Sequence, residues 1–278
     1  MNIRLTISKT CPPVPLTKRG IKVNRERKIV KKTRAKFAKT LAKFFKKVSK
    51  EIASDITALL TKNQASLIET VLGSISDAQF IKDLPELAEP YLSALAVDGG
   101  EETLEALGIT QEEVIALMRT RAQAWSYGRA AEMVGRQWVD GRLVDNPSAE
   151  WAITESTRDL LRDTVTEALK EGLSPAELAG RIEESYAFSS SRATMVARTE
   201  MAMADMAGSM EAFRATPGVQ GKRWLTAGDD LVSDECQACE DAGTIPLDSA
   251  FPGGADAPPN HPNCRCAIEP VFDDEMES

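Results

Sequence analysis

Four of the five cysteines and the only histidine of this 278-residue chain lie between Cys236 and Cys266. Their spacing is Cys236-x2-Cys239-x21-His261-x2-Cys264-x-Cys266. The surrounding text, residues 219–272, is rich in Gly, Pro and Asp, and loops of that kind bury too little apolar surface to order themselves without a staple. A structural zinc site needs four thiolate or imidazole ligands in a tetrahedron, commonly two from each of two short loops, and this stretch offers five. Pro262 and the Pro-Pro-Asn before His261 stiffen the second ligand loop and lower the entropy lost on ordering it. The competing readings are a CxxC redox pair, a disulfide, and thiols that are merely buried. Glu235, Glu240 and Asp241 flank the CxxC pair and would raise its thiol pKa values, which disfavours redox work. A closed zinc site leaves no position for water, so even the metal reading implies stability and not catalysis.

The histidine count excludes whole enzyme classes. A zincin needs two histidines on one helix. A zinc deaminase needs His-x-Glu, whereas His261 is followed by Pro262 and Asn263. With no Gly-rich phosphate loop and no evident nucleophile and base, the expectation is a non-enzyme with no small-molecule substrate. No apolar run approaches the roughly 18–20 residues that cross a bilayer, and no secretory signal is visible, so no membrane role is expected.

Charge is divided sharply. Residues 1–50 hold 17 Lys or Arg and one acid, Glu26, while the rest of the chain holds 17 against 41. Residues 1–26, with Cys-Pro-Pro-Val-Pro at 11–15, show no helical period and read as an extended or disordered arm. From about 27 to 50, Phe37, Leu41, Phe44, Phe45 and Val48 recur at helical spacing among lysines, which predicts a basic amphipathic helix. Lys31, Lys32, Arg34, Lys36, Lys39, Lys43, Lys46 and Lys47 are its candidate contacts to double-stranded DNA. The alternatives are a helix packed on the chain's own acidic body, one seated in an acidic groove of a partner protein, and one lying on an anionic membrane surface.

The middle reads as successive helices. One spans 54–75, and one at 83–95 is expected to break at Pro85 and Pro90. Another, over 110–139, opens with Thr110 and Glu113 in capping-box spacing, and a loop at 145–148 separates it from a helix over roughly 150–171. Gly172 then stops that helix, and Ser174, Pro175 and Glu177 start the next. Trp125, Trp138 and Trp151, evenly spaced without matching flanks, read as core or interface anchors. A long Ala- and Met-rich helix over 189–216 ends at Pro217-Gly218, and KRWLT and CAIEPVF look like strands. The expected fold is mainly α, with a small C-terminal α+β, loop-rich module and a basic N-terminal arm and amphipathic helix. The divisions drawn are 1–50, 51–149 and 150–278.

Four motifs in fixed order carry a resemblance. SRATMVARTEMA (191–202), KRWLTAGDDLVSDECQAC (222–239), IPLDSAFPGG (245–254) and HPNCRC (261–266) together resemble the C-terminal domain of the phage Mu F-like minor head proteins, the head-morphogenesis family of tailed phages. Arg198, Thr199 and Glu200 stand in that family's Ala-Arg-Thr-Glu helix, Trp224 and Asp229 in its Trp-x-x-x-x-Asp turn, and Cys264 and Cys266 in its Asn-Cys-Arg-Cys ending. The resemblance implies a minor capsid protein inside the virion head. It implies recruitment through the portal protein in the host cytoplasm during assembly, with scaffold or major capsid protein as further partners, and a part in DNA packaging or ejection. Arg198 and Glu200, two apart on a helix, face different ways, and each is expected to pin a separate loop of the C-terminal unit. Asp229 is expected to close an Asx-type turn. The rival readings are a zinc-containing nucleic-acid adaptor unconnected with phages and an enzyme associated with the head.

Overall fold

The computed structural model describes residues 28–58, 73 and 78–273. The arm expected over 1–26, and most of the helix expected over 54–75, lie outside the described residues. Among those described, seven α-helices and two small antiparallel sheets bear out a mainly α chain with a small C-terminal α+β part.

Helix α1 (Lys28–Ala58) follows from the period of its apolar residues. Val30, Phe37, Leu41, Phe44, Phe45, Val48, Ile52 and Ile56 are all buried. They join one core with residues from every other helix up to Ser190–Ala215. Helix α2 (Ala78–Ala106) runs antiparallel to α1. Phe37 stacks on Tyr91 at 4.9 Å, Thr40 Oγ1 meets the Tyr91 hydroxyl at 3.0 Å, and ten residues further along α1 Lys47 reaches back to Asp83 at 3.5 Å. The packing therefore runs across the sequence divisions at 50 and 149.

Helix α2 does not break at Pro85 and Pro90, which both lie inside it. Leu84, Ala88, Leu92, Leu95 and Ala96 are fully buried along one stripe, and that burial outweighs the backbone hydrogen bonds the two rings remove. Pro90 sits on the solvent side with Glu86, so water can reach the carbonyl it leaves unpaired. Helix α3 (Glu112–Glu132) also departs from expectation. Its N-cap is Gln111, with no side-chain cap, so Thr110 and Glu113 form no capping box. The chain leaves the helix at Glu132 and forms a hairpin where more helix was expected. β1 (Arg136–Val139) pairs with β2 (Arg142–Asp145), with Val139 opposite Arg142. Asp140 and Gly141, both at positive φ (48° and 73°), make the two-residue turn. Trp138 of this hairpin stacks on Tyr127 at 4.6 Å.

Helix α4 (Ile153–Glu171) ends at Gly172, whose φ of 72° supplies the left-handed cap. Helix α5 (Pro175–Glu183) begins with the full capping box of Ser174 and Glu177. Helix α6 (Ser190–Ala215) is the spine of the molecule. Its contact with α2 is backbone against backbone: a Cβ on Gly208 would collide with the Ala96 carbonyl, and one on Gly99 would stand 2.5 Å from the Asp205 carboxylate.

From the far end of α6, Met206, Met210 and Phe213 enter a second core with Trp224, Leu247, Phe251, Ile268 and all four described cysteines. The sheet over this core has order β4-β3-β5, all antiparallel. Its strands are β3 (Val219–Leu225), β4 (Thr244–Pro246) and β5 (Ala267–Phe272), and helix α7 (Asp234–Asp241) packs beside β3. No helix among the described residues is long and apolar enough to cross a membrane.

Candidate metal centre

Cys236 sits in the first turn of α7, whose N-cap Ser233 accepts from the Cys236 N–H at 3.3 Å. His261 and Cys264 come from the loop before β5, closed by a turn from the Cys264 N–H to the His261 carbonyl at 3.1 Å. One ligand atom from each of Cys236, His261 and Cys264 lies within 4.8 Å of the others. The two sulfurs are 3.7 Å apart. Two thiolates about 2.3 Å from one tetrahedral zinc stand about 3.8 Å apart, so the spacing fits. His261 Nδ1 lies 3.0 Å from the Pro262 carbonyl, and a proton donated there leaves Nε2 with the lone pair a metal needs.

The other two predicted ligands differ in placement. Cys266 lies against Cys264 and Cys236. Cys239 turns its sulfur toward the Pro252 carbonyl at 3.5 Å. Neither belongs to the set whose ligand atoms all lie within 4.8 Å of one another, although the Cys266 thiol hydrogen-bonds with Cys264 and Cys236. Trp224 is 0% exposed and its indole N–H has no conventional acceptor. It lies beside the Cys266 sulfur, where it favours a thiolate. A buried donor aimed at sulfur is what a metal-bound thiolate would satisfy.

Electrostatics agree. Hydrogen bonding from the Cys266 thiol, then from the backbone N–H groups of Cys266 and Asn260, pulls Cys264 down to about 5 despite its burial. The same bond and burial push Cys266 up, and burial pushes Cys236 and Cys239 up. A divalent ion bound there would displace the protons that these thiols carry. Held this way, the ion would link α7 to the loop before β5.

Three of the motif residues converge on this ligand loop. The Thr199 hydroxyl accepts from the Asn263 N–H at 3.4 Å. Asp229 forms a two-pronged ion pair with Arg265, with one bond at 2.5 Å, and also closes the expected Asx turn by accepting from the Leu231 N–H at 3.0 Å. That pair holds Asp229 below the usual carboxylate range. Trp224 is buried in the same core as Cys264 and Cys266.

The other two do not pin loops of this unit. Arg198 is exposed and makes no hydrogen bond or ion pair with the described residues. Glu200 faces the helical core and binds Arg129 of α3 through both oxygens, at 2.9 and 2.7 Å. Its partner is 71 residues away, so no local pattern could name it. Arg129 also donates to Glu132 at 2.8 Å and to the Glu150 carbonyl at 3.0 Å. Burial works against its charge, yet Glu200 raises its pKa above the ordinary guanidinium value.

Sequence reasoning also missed Arg192. This buried guanidinium donates to the Ala187 and Ile153 carbonyls and the Ser156 hydroxyl, and lies 5.3 Å over the Phe45 ring of α1. Burial lowers its pKa to about 10. Its place in the SRATM motif was the available signal.

On α1, Lys31, Lys32, Lys36, Lys39, Lys43, Lys46 and Lys47 are exposed. At about 100° per residue, Lys32, Lys36, Lys39, Lys43, Lys46 and Lys50 fall within about 80° of one another, opposite the apolar stripe. Arg34 is the exception among the DNA candidates: it projects from the packed side and is half-buried. Lys47 pairs with Glu51 and Asp83.

Comparison with known proteins finds similarity over part of this arrangement. Residues 159–269 match the family described as phage Mu protein F like protein. An uncharacterized protein of Bacillus subtilis (strain 168), YqbB, is 26% identical over 134 residues, and the match spans 44% of this chain and 44% of that relative. No solved structure matches the chain. The matched segment opens within α4 and closes in β5, so it takes in α5, α6 and the whole candidate metal centre. Over residues 159–269 the chain is thus similar to the phage Mu protein F like proteins.

Proposed function

We propose that this chain is a minor head protein of a tailed phage. In this reading it is carried inside the head near the portal and acts in head assembly and in DNA packaging or ejection, without catalytic turnover. The match over residues 159–269 carries the reading. Its partners are the portal protein, scaffold or major capsid protein, and double-stranded DNA. Finding the protein in purified virions beside the portal would support this, and finding it only in host cytosol would overturn it.

The lysine ridge of α1 is the DNA-facing surface. From Lys28 to Lys50 it extends about 33 Å at 1.5 Å per residue. Each phosphate it neutralises releases condensed counterions and steepens the salt dependence of binding. Replacing Lys32, Lys36, Lys39, Lys43, Lys46 and Lys50 with Gln is expected to flatten the slope of log K against log salt by up to about 5. An unchanged slope would remove the DNA role.

The metal is zinc, held by Cys236, His261, Cys264 and Cys266, and its role is to fasten the ligand loop to α7. Protein purified reduced and without added metal is expected to carry about one zinc per chain. Cys264→Ser should abolish the zinc, whereas Cys239→Ser should retain it. Metal-free protein with four titratable thiols would mean that packing alone holds the loops.

A further inference from the structure

A cleft separate from the metal centre lies where α3, the loop after the hairpin, α6 and residues 253–260 meet, with a volume of about 580 Å³. A volume of that size takes a small ligand. Trp125 and Trp151 give the cleft two indole rings, and Met203, Met206 and Met210 of α6 line it with them. Its carboxylates are Glu150, Glu211 and Asp256, and its cationic lining residue is Arg214. These charges are not equally available. Arg214 takes Glu211 at 2.6 Å and Asp256 at 2.9 Å, and Asp256 is held further by the fully buried Lys222. The Glu150 carboxylate is exposed and makes no ion pair with the described residues. The cleft therefore offers a single uncommitted carboxylate together with two indoles.

The placement of Trp151 is built into the fold. It is 38% exposed and held at a φ of 56°, a backbone conformation rare for a bulky residue. The residue before it is fixed on both sides: the Glu150 N–H donates to the Glu132 carboxylate at 3.3 Å, and the Glu150 carbonyl accepts from Arg129 at 3.0 Å. Arg129 is in turn clamped in the core by both oxygens of Glu200. Two residues beyond Trp151, the Ile153 N–H donates to the Met133 carbonyl at 2.8 Å. Strain of this kind persists only where the surroundings over-determine it, and it collects at ligand-binding sites. Here it presents an indole to a cleft next to a free carboxylate.

The chemistry that such a lining recognises is narrow. The face of an indole attracts a cation more strongly than any other side-chain ring. One carboxylate balances one positive charge. A primary ammonium brings three N–H donors and a guanidinium five, all of which need acceptors when they leave water. The Trp, Met and Pro side chains of this cleft supply no strong acceptor. A fully methylated ammonium has no donor to satisfy and sets its methyl groups against indole faces and adaptable methionines.

We infer that this cleft binds a small monocation of the quaternary-ammonium class, with its charge between Glu150 and the faces of Trp125 and Trp151. Trp125, Glu150 and Trp151 all precede residues 159–269, so the inference does not rest on the phage reading.

The test uses the full chain labelled with fluorotryptophan, titrated with choline and followed by fluorine NMR. The chain has four tryptophans, and the two outside the cleft, Trp138 and Trp224, serve as internal controls. Saturable shifts of the Trp125 and Trp151 signals are expected, with the controls unmoved. The neutral carbon isostere of choline, which has the same shape without the charge, is expected to bind about tenfold more weakly. Glu150→Gln and Trp151→Ala, both exposed changes outside the two cores, are each expected to weaken choline binding about tenfold. No saturable shift, equal binding of the neutral isostere, shifts of all four signals alike, or unchanged affinity in both variants would each overturn the assignment.

Discussion

Deletion of residues 1–50 is expected to unfold this chain, and not simply to weaken its hold on DNA. The deletion removes Phe37, Leu41, Phe44, Phe45 and Val48, all of them buried against the other helices. Truncating one such side chain costs about 2–5 kcal/mol, and five together exceed the roughly 5–15 kcal/mol by which a domain is stable. The faces left behind, including Leu84, Leu92, Ala193 and Ala197, would be open to water. Arg192 would also lose the Phe45 ring beneath it. The expected result is loss of a cooperative urea transition and recovery mainly in aggregates. The six-lysine variant, whose changes point to solvent, is expected to melt within a few degrees of the parent, because exposed substitutions are usually worth within about 0.5 kcal/mol each. A soluble 51–278 fragment with a parent-like transition would refute this account. The comparison also fixes how the DNA role must be tested, since lost binding in the deletion would report unfolding.

The same helix shows what periodicity can and cannot tell. Its apolar spacing revealed a buried face, and its lysines an exposed one, before any partner was known. What the apolar face would cover was open, because a stripe of Phe, Leu and Val suits any hydrophobic neighbour. Local chemistry was legible wherever local geometry decides the outcome, as at the Ser174 capping box, the Gly172 cap and the Asp229 turn. It misled where tertiary packing won. Pro85 and Pro90 are breakers in isolation, but the stripe from Leu84 to Ala96 is buried too well for the helix to end there. The hairpin was missed although Asp140-Gly141 is a strong two-residue turn signal, because the helical pattern before it was extended too far. In the metal centre the ligand types were legible from spacing. Which cysteine turns away was not, because that depends on how α7 faces the loop before β5. Thr199 and Asp229 stood out only through the motif order, and their purpose appeared once both were seen to hold that loop.

Arg129→Met is expected to be the most damaging single change outside the apolar core. Both members of the Arg129–Glu200 pair are almost entirely buried, at 2% and 4% side-chain exposure. Removing the guanidinium leaves a carboxylate in the helical core without its cation, a loss of about 3–5 kcal/mol. Glu200→Leu is expected to cost less, because Arg129 keeps Glu132 at 2.8 Å and the Glu150 carbonyl at 3.0 Å. The double variant should be more stable than the sum of the two single losses allows, since it buries no bare charge. Urea midpoints at constant slope measure all three, and strictly additive losses would show that the two residues act separately. Arg129 lies outside residues 159–269 and Glu200 inside them. The buried acid of the Ala-Arg-Thr-Glu motif therefore binds the matched domain to the helices that precede it. A fragment cut at the edge of the match would carry Glu200 without its cation and lack the apolar face of α1.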